Sequence, residues 1–197
     1  SLASGVFDSR GDPRILLLYN RENLGFVATV NRGMALDRKR DVVLLNSDTL
    51  VTAGWLGKLR ACAASHHRIG TITPFSNNAE ICSFPELCRN VPLDELPDIE
   101  LVNRALQEAA LPLYPDIPTA VGFCMYIRRA LLDEIGFFDV ETFRLGYGEE
   151  NDFCMRARKA GRIVHVSSFG GKLGVPHMMP YCTAKFALTG FSASLRA

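Results

Sequence analysis

Two short acidic stretches carry side chains with the charge and spacing to do chemistry. The first, Asn46-Ser47-Asp48-Thr49, follows directly on an apolar run ending at Leu45. A turn of this kind at the end of a buried strand offers one carboxylate, flanked by amide and hydroxyl groups, to a hard cation. Mg2+ or Mn2+ prefers oxygen ligands and bridges a protein carboxylate to a diphosphate. A plainer role is also open, because Ser, Asp and Thr side chains all cap turns. The second stretch is Gly146-Tyr147-Gly148-Glu149-Glu150-Asn151-Asp152. Its acids fall at a predicted helix start, where negative charge complements the helix dipole, as Arg156, Arg158 and Lys159 do at the far end. Asp152 and Arg156 are also spaced as an i,i+4 pair. Clustered acids nevertheless repel one another unless a cation or proton donor faces them. A carboxylate held there can act as general base on a hydroxyl, and the two glycines would let backbone come close to a ligand.

The elements that must position these groups alternate between strand and helix signals. Arg14–Tyr19 reads as a buried strand, followed by a turn over Asn20–Asn23. Phe26, Val30 and Met34 recur every four residues, the period of a helix with one packed face. Asp41–Asn46, with Val-Val-Leu-Leu at its centre, reads as a parallel strand covered on both faces. Helices are expected over Trp55–Ala64, Ile99–Ala110, Arg129–Ile135 and Glu149–Ala160, the last two stopped by Gly136 and Gly161. Strands are expected over Ile69–Thr73, Thr119–Ile127 and Arg162–Ser168. Phe75–Asp98 is irregular and long enough to expect a job for it, and Pro112, Pro115 and Pro118 mark a linker. A last helix begins at about Met179. Such alternation predicts a doubly wound α/β sheet, whose ligands gather at the carboxyl ends of the strands.

Composition sets the outer bounds. The 197 residues are 48% hydrophobic and 22% charged, which suits one globular domain and argues against intrinsic disorder. Basic and acidic residues number 22 and 21, so bulk charge recruits no polyanion and nucleic acid is not expected as a main partner. Apolar runs such as Ile15–Leu18 are too short for a transmembrane helix. The start carries no signal-peptide pattern and no initiator Met, and the chain reads as a piece of a longer product. Cys62, Cys82, Cys88, Cys124, Cys154 and Cys182 form no C-x-x-C pair. They suit neither a disulfide framework nor a metal site, and point to reduced, mostly buried thiols in a cytoplasmic protein. No feature speaks to oligomeric state.

The segment from about Arg14 to Gly161 resembles a family 2 glycosyltransferase of the GT-A fold. The pieces that carry the likeness are Asn23-Leu24-Gly25-Phe26 with Asn31-Arg32-Gly33, Leu44-Leu45-Asn46-Ser47-Asp48-Thr49, Gly54-Trp55-Leu56 and Thr73-Pro74-Phe75-Ser76-Asn77-Asn78. They are followed by Val121-Gly122-Phe123-Cys124, Gly136-Phe137-Phe138-Asp139 and Gly148-Glu149-Glu150-Asn151-Asp152-Phe153. The resemblance implies a Rossmann-like mixed sheet with helices on both faces, and inverting transfer of a sugar from a nucleotide-sugar to the hydroxyl of a glycan or other acceptor. Asp48 would hold Mg2+ or Mn2+ on the diphosphate. Asn46, in the first place of the family's acidic D-x-D motif, would contribute an amide oxygen or touch the ribose. Glu150 would be the base, with Glu149 and Asp152 orienting it or the helix. Asn23, Gly25 and Asn31 would lie near the nucleotide, although a turn and a helix start account for them equally well, and Asn77 and Asn78 would line the cleft. The family's first strand has no counterpart in Ser1–Pro13, which reads as the tail of a helix.

The last 36 residues, 162–197, resemble a different family. Tyr181 and Lys185 are four apart and share one face of a helix. A Lys ammonium there favours the phenolate, and Ser168, ending a strand 13 residues earlier, can hydrogen-bond a carbonyl. This stretch is similar to the active site of a short-chain dehydrogenase/reductase, which implies Ser168, Tyr181 and Lys185 as a catalytic trio and NAD(P) as cofactor. No G-x-x-x-G-x-G stands in the sequence to seat that cofactor. The expectation is therefore a fusion. A transferase-like domain over 1–161 joins a strand–loop–helix of reductase type over 162–197. An NAD(P)-dependent oxidoreductase fragment and an inactive α/β module are the alternatives.

Overall fold

The computed structural model describes residues 12–86, 88–109, 114 and 116–165. Four strands form one sheet: β1 (Val42–Leu45), β2 (Ile69–Ile72), β3 (Cys124–Ile127) and β4 (Ile163–His165), in the order β1-β3-β2-β4. β3 runs antiparallel to both β1 and β2, while β4 is parallel to β2. The sheet is therefore mixed, as the resemblance to the GT-A fold implies, while the strand within Asp41–Asn46, read as parallel, pairs antiparallel with β3. The physical reason lies in β3, which enters from the opposite end after a long connection. As a result β1, β2 and β4 all end, and β3 begins, at the same side of the sheet.

The helices are α1 (Gly25–Met34), α2 (Trp55–Ser65), α3 (Ile99–Ala109), α4 (Arg129–Ile135), α5 (Val140–Phe143) and α6 (Glu149–Lys159). Alternate residues of β3 sort the core into two layers, as the period-two geometry of a strand requires. Cys124 and Tyr126 join Leu59, Cys62 and Ala63 of α2 on one face. Met125 and Ile127 join Val27 and Met34 of α1, Leu131 and Leu132 of α4, and Phe153 and Ala157 of α6 on the other. Phe138 meets Phe153 edge-on, with ring centroids 5.2 Å apart. Helices thus cover both faces of a mixed sheet, the GT-A-type α/β arrangement.

Several expected elements take a different form. Arg14–Tyr19 is neither strand nor buried: Leu16 is 68% and Tyr19 77% exposed. No strand among the described residues lies beside it, and an apolar, β-branched composition does not form a ladder without a partner. Arg32 of α1 holds its end instead, donating to Tyr19 O at 2.9 Å and Asn20 Oδ1 at 2.6 Å. β1 is shorter than Asp41–Asn46, antiparallel to its neighbour, and only half-buried, because it pairs on one side alone among the described residues. α1 packs Met34 and Val30 against the core as expected, while Phe26 is exposed and Val27 is buried in its place. Thr119–Ile127 contributes only its last four residues to the sheet. Of Arg162–Ser168, the strand covers Ile163–His165, and residues 166–197, with the expected last helix, lie outside the described residues.

Cys62, Cys82, Cys124 and Cys154 are buried and free, and Cys88 is free and exposed. Burial pushes the Cys62 thiol up to about 12 and Cys124 up to about 11, which makes them inert. No helix among the described residues is long and apolar enough to cross a membrane.

One buried cation ties the two halves of the sheet together. Arg129, 7% exposed at the start of α4, donates to the carbonyls of Met34 at 3.0 Å, Asp37 at 2.6 Å and Arg40 at 2.9 Å. Its own N–H donates to Asp41 Oδ1 at 2.8 Å, and the other oxygen of Asp41 accepts from Tyr126 Oη. The α1–β1 connection is thereby fastened to the β3–α4 junction. Arg129→Met keeps the apolar stem and strips the donors from three carbonyls. A loss of about 3 kcal/mol is expected, readable as a lower midpoint in urea unfolding followed by circular dichroism.

Candidate functional site

The strand ends gather around a short segment, residues 120–123, that precedes β3. Asn46 N–H, just past β1, donates to Phe123 O at 2.8 Å. The buried Thr73 Oγ1, just past β2, accepts from Val121 N–H at 3.0 Å. Ala120 N–H donates to Cys154 Sγ of α6 at 3.2 Å. Finally, a Cβ at Gly122 would stand 2.9 Å from Glu150 Oε1, so the carboxylate packs against the open side of this glycine. Four residues therefore touch the end of β1, the end of β2 and the first turns of α6.

The Asn46–Thr49 turn closes by its backbone, with Thr49 N–H donating to Asn46 O at 3.2 Å. The Asp48 side chain takes no part in this. It is exposed and meets no hydrogen-bonding or ionic partner among the described residues, so it does not act as the turn's cap. An oxygen donor left open in this way fits a hard cation shared with a ligand's own oxygens. It does not fit an all-protein cage, since no group of three His, Cys, Asp or Glu able to hold an ion occurs among the described residues.

The acidic helix start separates its carboxylates by environment. Gly146, Tyr147 and Gly148 all have left-handed φ values, +125°, +70° and +103°, which swing the chain back into α6 without a side-chain cap. Glu149 is 4% exposed, and its Oε2 has no hydrogen-bond partner among the described residues. Burial raises its pKa above the ordinary glutamate value, and the nearby Glu150 charge adds to the rise. Glu150 is half-buried and lies against Gly122. Asp152 pairs with Arg156 at 2.8 Å, which in turn donates to Ile135 O at 2.7 Å and Phe137 O at 2.9 Å. Asp152 thus orients its helix on the loop after α4 rather than Glu150.

The remaining expected site residues divide into two groups. Asn46, Asp48, Asn77 and Asn78 line one cavity of about 640 Å3, walled also by Trp55, Phe75 and Phe123. Asn77 is fixed there by donating its side-chain amide to Val91 O at 2.8 Å. Asn23, Gly25 and Asn31 stand elsewhere and serve the chain's own conformation. Asn23 Oδ1 accepts from Gly25 N–H at 2.9 Å, and a Cβ at Gly25 would lie 2.7 Å from Arg144 O. Asn31 donates to Phe138 O at 2.8 Å and accepts from Phe138 N–H at 3.2 Å, clamping the loop after α4. Glu149, Glu150 and Asp152 are not in the cavity wall. Of the three, Glu150 lies against Gly122, the residue before the wall residue Phe123. Ser168, Tyr181 and Lys185 lie outside the described residues. Thr73 and Gly122 stand in the sequence only inside stretches that carry the family likeness, and the contacts they make across the strand ends come from the tertiary structure.

An α/β sheet with its polar groups at the strand ends is the architecture of ligand-binding doubly layered enzymes. The sequence matches the glycosyltransferase-like family 2 over residues 3–169, and the chain belongs to that family. Residues 152–197 also match the short chain dehydrogenase family, so the two matches overlap from 152 to 169. Curated relatives reflect the second match. A dehydrogenase/reductase SDR family protein 7-like of Anopheles gambiae is 51% identical over 43 residues, 22% of this chain and 14% of that protein. 17-beta-Hydroxysteroid dehydrogenase 13 of Homo sapiens is 46% identical over 41 residues, 21% of this chain and 14% of that protein. Oxidoreductase BOA17 of Botryotinia fuckeliana is 28% identical over 123 residues, 48% of this chain and 44% of that protein. The chain thus spans less than half the length of these relatives.

The Glu149 environment has a consequence for stability. A carboxyl whose pKa is raised by folding binds more protons when folded than when unfolded. Its favourable contribution is present at low pH and is lost as pH rises from the ordinary glutamate value through the folded one. Glu149→Gln keeps the shape without the charge. Its melting temperature is expected to match the parent's near pH 4 and to exceed it at pH 7, by about 2–4 °C for each kcal/mol of relief. Equal melting curves at both pH values would show that Glu149 carries no such strain.

Proposed function

We propose that the chain is an inverting glycosyltransferase domain that moves a sugar from a nucleotide-sugar to an acceptor hydroxyl, with Glu150 as general base. The observation that carries this reading is the Gly122–Phe123 segment, which sets the Glu150 carboxylate next to the same strand ends that present Asn46 and Asp48. The acceptor oxygen forms its bond to the sugar's anomeric carbon as the carbon–oxygen bond to the diphosphate breaks. The acceptor proton passes to Glu150, and the nucleoside diphosphate leaves. Glu149 beside Glu150 is buried, and desolvation raises its pKa above the ordinary glutamate value. Asp48, with the Asn46 amide beside it, would hold Mg2+ or Mn2+, which supplies charge stabilisation of the leaving diphosphate when bound. Asn77 and Asn78 offer hydrogen bonds from the cavity wall. Residues 1–161 form the transferase unit in this reading and 162–197 an appended reductase-type piece, in a reducing cytoplasmic setting that suits the free buried thiols.

The test pairs binding with turnover. Calorimetric titration with UDP, GDP and dTDP in the presence of Mn2+ is expected to give heat with one of them. Asp48→Ala should abolish the metal-dependent part. Glu150→Gln should keep the binding heat and lower nucleoside diphosphate release by about 100-fold or more. Parental turnover in Glu150→Gln would remove the base assignment, and no heat with any nucleotide would remove the transferase reading.

The match over 152–197 favours one second reading, an oxidoreductase in which Ser168, Tyr181 and Lys185 act on a carbonyl with NAD(P)H. Tight, saturable NADPH binding, lost in Lys185→Ala, would move the ranking to it.

A further inference from the structure

The cavity beside Asp48 extends well past the strand ends, and its far wall is unusual for a small α/β domain. α3 carries Ile99, Val102 and Leu106 at the i, i+3, i+7 spacing of an apolar stripe. None of the three joins either buried cluster; all three line the cavity instead. Two side-chain hydrogen bonds anchor the near end of the helix. Ala53 N–H donates to Glu100 Oε1 at 2.9 Å, and Lys58 Nζ donates to Asn103 Oδ1 at 2.6 Å. A stripe that in an ordinary domain would sink into the core therefore faces about 640 Å3 of open space. The mouth is apolar too: Leu50, 68% exposed, and Leu93, 49% exposed, stand at it.

Charge narrows the occupant. Asp48 and Lys58 are the only charged residues in the wall among the described residues, and Lys58 is already engaged with Asn103. A phosphate or carboxylate placed against the α3 stripe would lose hydration and meet no cation other than the engaged Lys58 among the described residues. A neutral apolar group gains the burial of both its own surface and the stripe's. Asn77, Asn78 and Asp48 line the same cavity, and Asn103 and Gln107 bring amides to it from α3 beside the apolar stripe.

We infer that this cavity seats the uncharged apolar portion of the acceptor, an alkyl or aryl group attached to the hydroxyl-bearing part, with the hydroxyl presented toward Asp48 and the wall residue Phe123. The inference rests on the transferase reading above and names the acceptor class for that same site. It departs from an acceptor that is sugar throughout, which would leave the α3 stripe facing hydroxyl groups.

Fluorescence titration of the full chain with N-phenyl-1-naphthylamine, a neutral apolar dye, tests it. A saturable rise is expected. n-Hexyl β-D-glucoside, kept below its micellar range, should displace the dye at concentrations at least about tenfold lower than glucose does, which corresponds to about 1.4 kcal/mol. Val102→Asp, which puts a charge on the stripe, and Leu106→Trp, which fills the space with the fold preserved, should each weaken dye binding by about tenfold or more. No saturable rise, displacement by glucose as effective as by hexyl glucoside, or unchanged binding in both variants would overturn the inference. The nucleotide titration separates the two claims. Nucleotide heat without dye binding removes the acceptor class and leaves the transferase. Dye binding without any nucleotide heat removes the assignment as an acceptor site together with the transferase.

Discussion

The arrangement of this molecule depends on how the four residues before β3 are pinned. Backbone groups at 120, 121 and 123 are each bonded to a different element, to Cys154 on α6, Thr73 after β2 and Asn46 after β1. Gly122 between them has no side chain, and its empty side is taken by the Glu150 carboxylate. Because β3 is antiparallel to both neighbours, its beginning coincides with their ends, and a single segment can reach all three partners. Buried backbone groups must find partners, so the satisfaction of this segment and the convergence of the polar residues are one structural event.

The acids at the start of α6 illustrate how burial assigns different parts to chemically equivalent groups. Asp152 is spent on Arg156 and through it on the loop after α4. Glu149 is enclosed with one oxygen unpartnered, which disfavours its charged form. Glu150 keeps partial access to solvent. The cavity wall combines amides, one carboxylate and the apolar stripe of α3.

The two family matches meet in an element that fits the transferase sheet physically. β4 pairs in parallel with β2, Val164 is fully buried, and Val164 O accepts from Ile117 N–H at 2.7 Å. Gly161, with φ +71°, ends α6, and its carbonyl accepts from Arg68 Nε at 2.9 Å. A helix, a glycine stop and an apolar strand are common to many α/β proteins, and a strand with the right side-chain volume is accepted by the ladder whatever sequence follows it. The overlap at 152–169 is therefore compatible with one continuous sheet edge through His165.

Local pattern determined a good deal. The pattern of residues placed α2, α3, α4 and α6 to within a residue or two, glycine stops marked the ends of α4 and α6, and the acids at Asp48 and Glu149–Glu150 stood out because charge beside an apolar run is legible without a fold. Other features belonged to tertiary structure alone. Arg14–Tyr19 has the composition of a strand and no ladder, since pairing is a property of two segments and not of one. The antiparallel insertion of β3, the commitment of Asn23 and Asn31 to backbone clamps, and the turning of the α3 stripe toward a cavity instead of the core were likewise undecided along the chain. The reason is common to all of them. Periodicity records which face of an element is apolar, whereas the partner that face meets is settled only when distant segments compete for the same space.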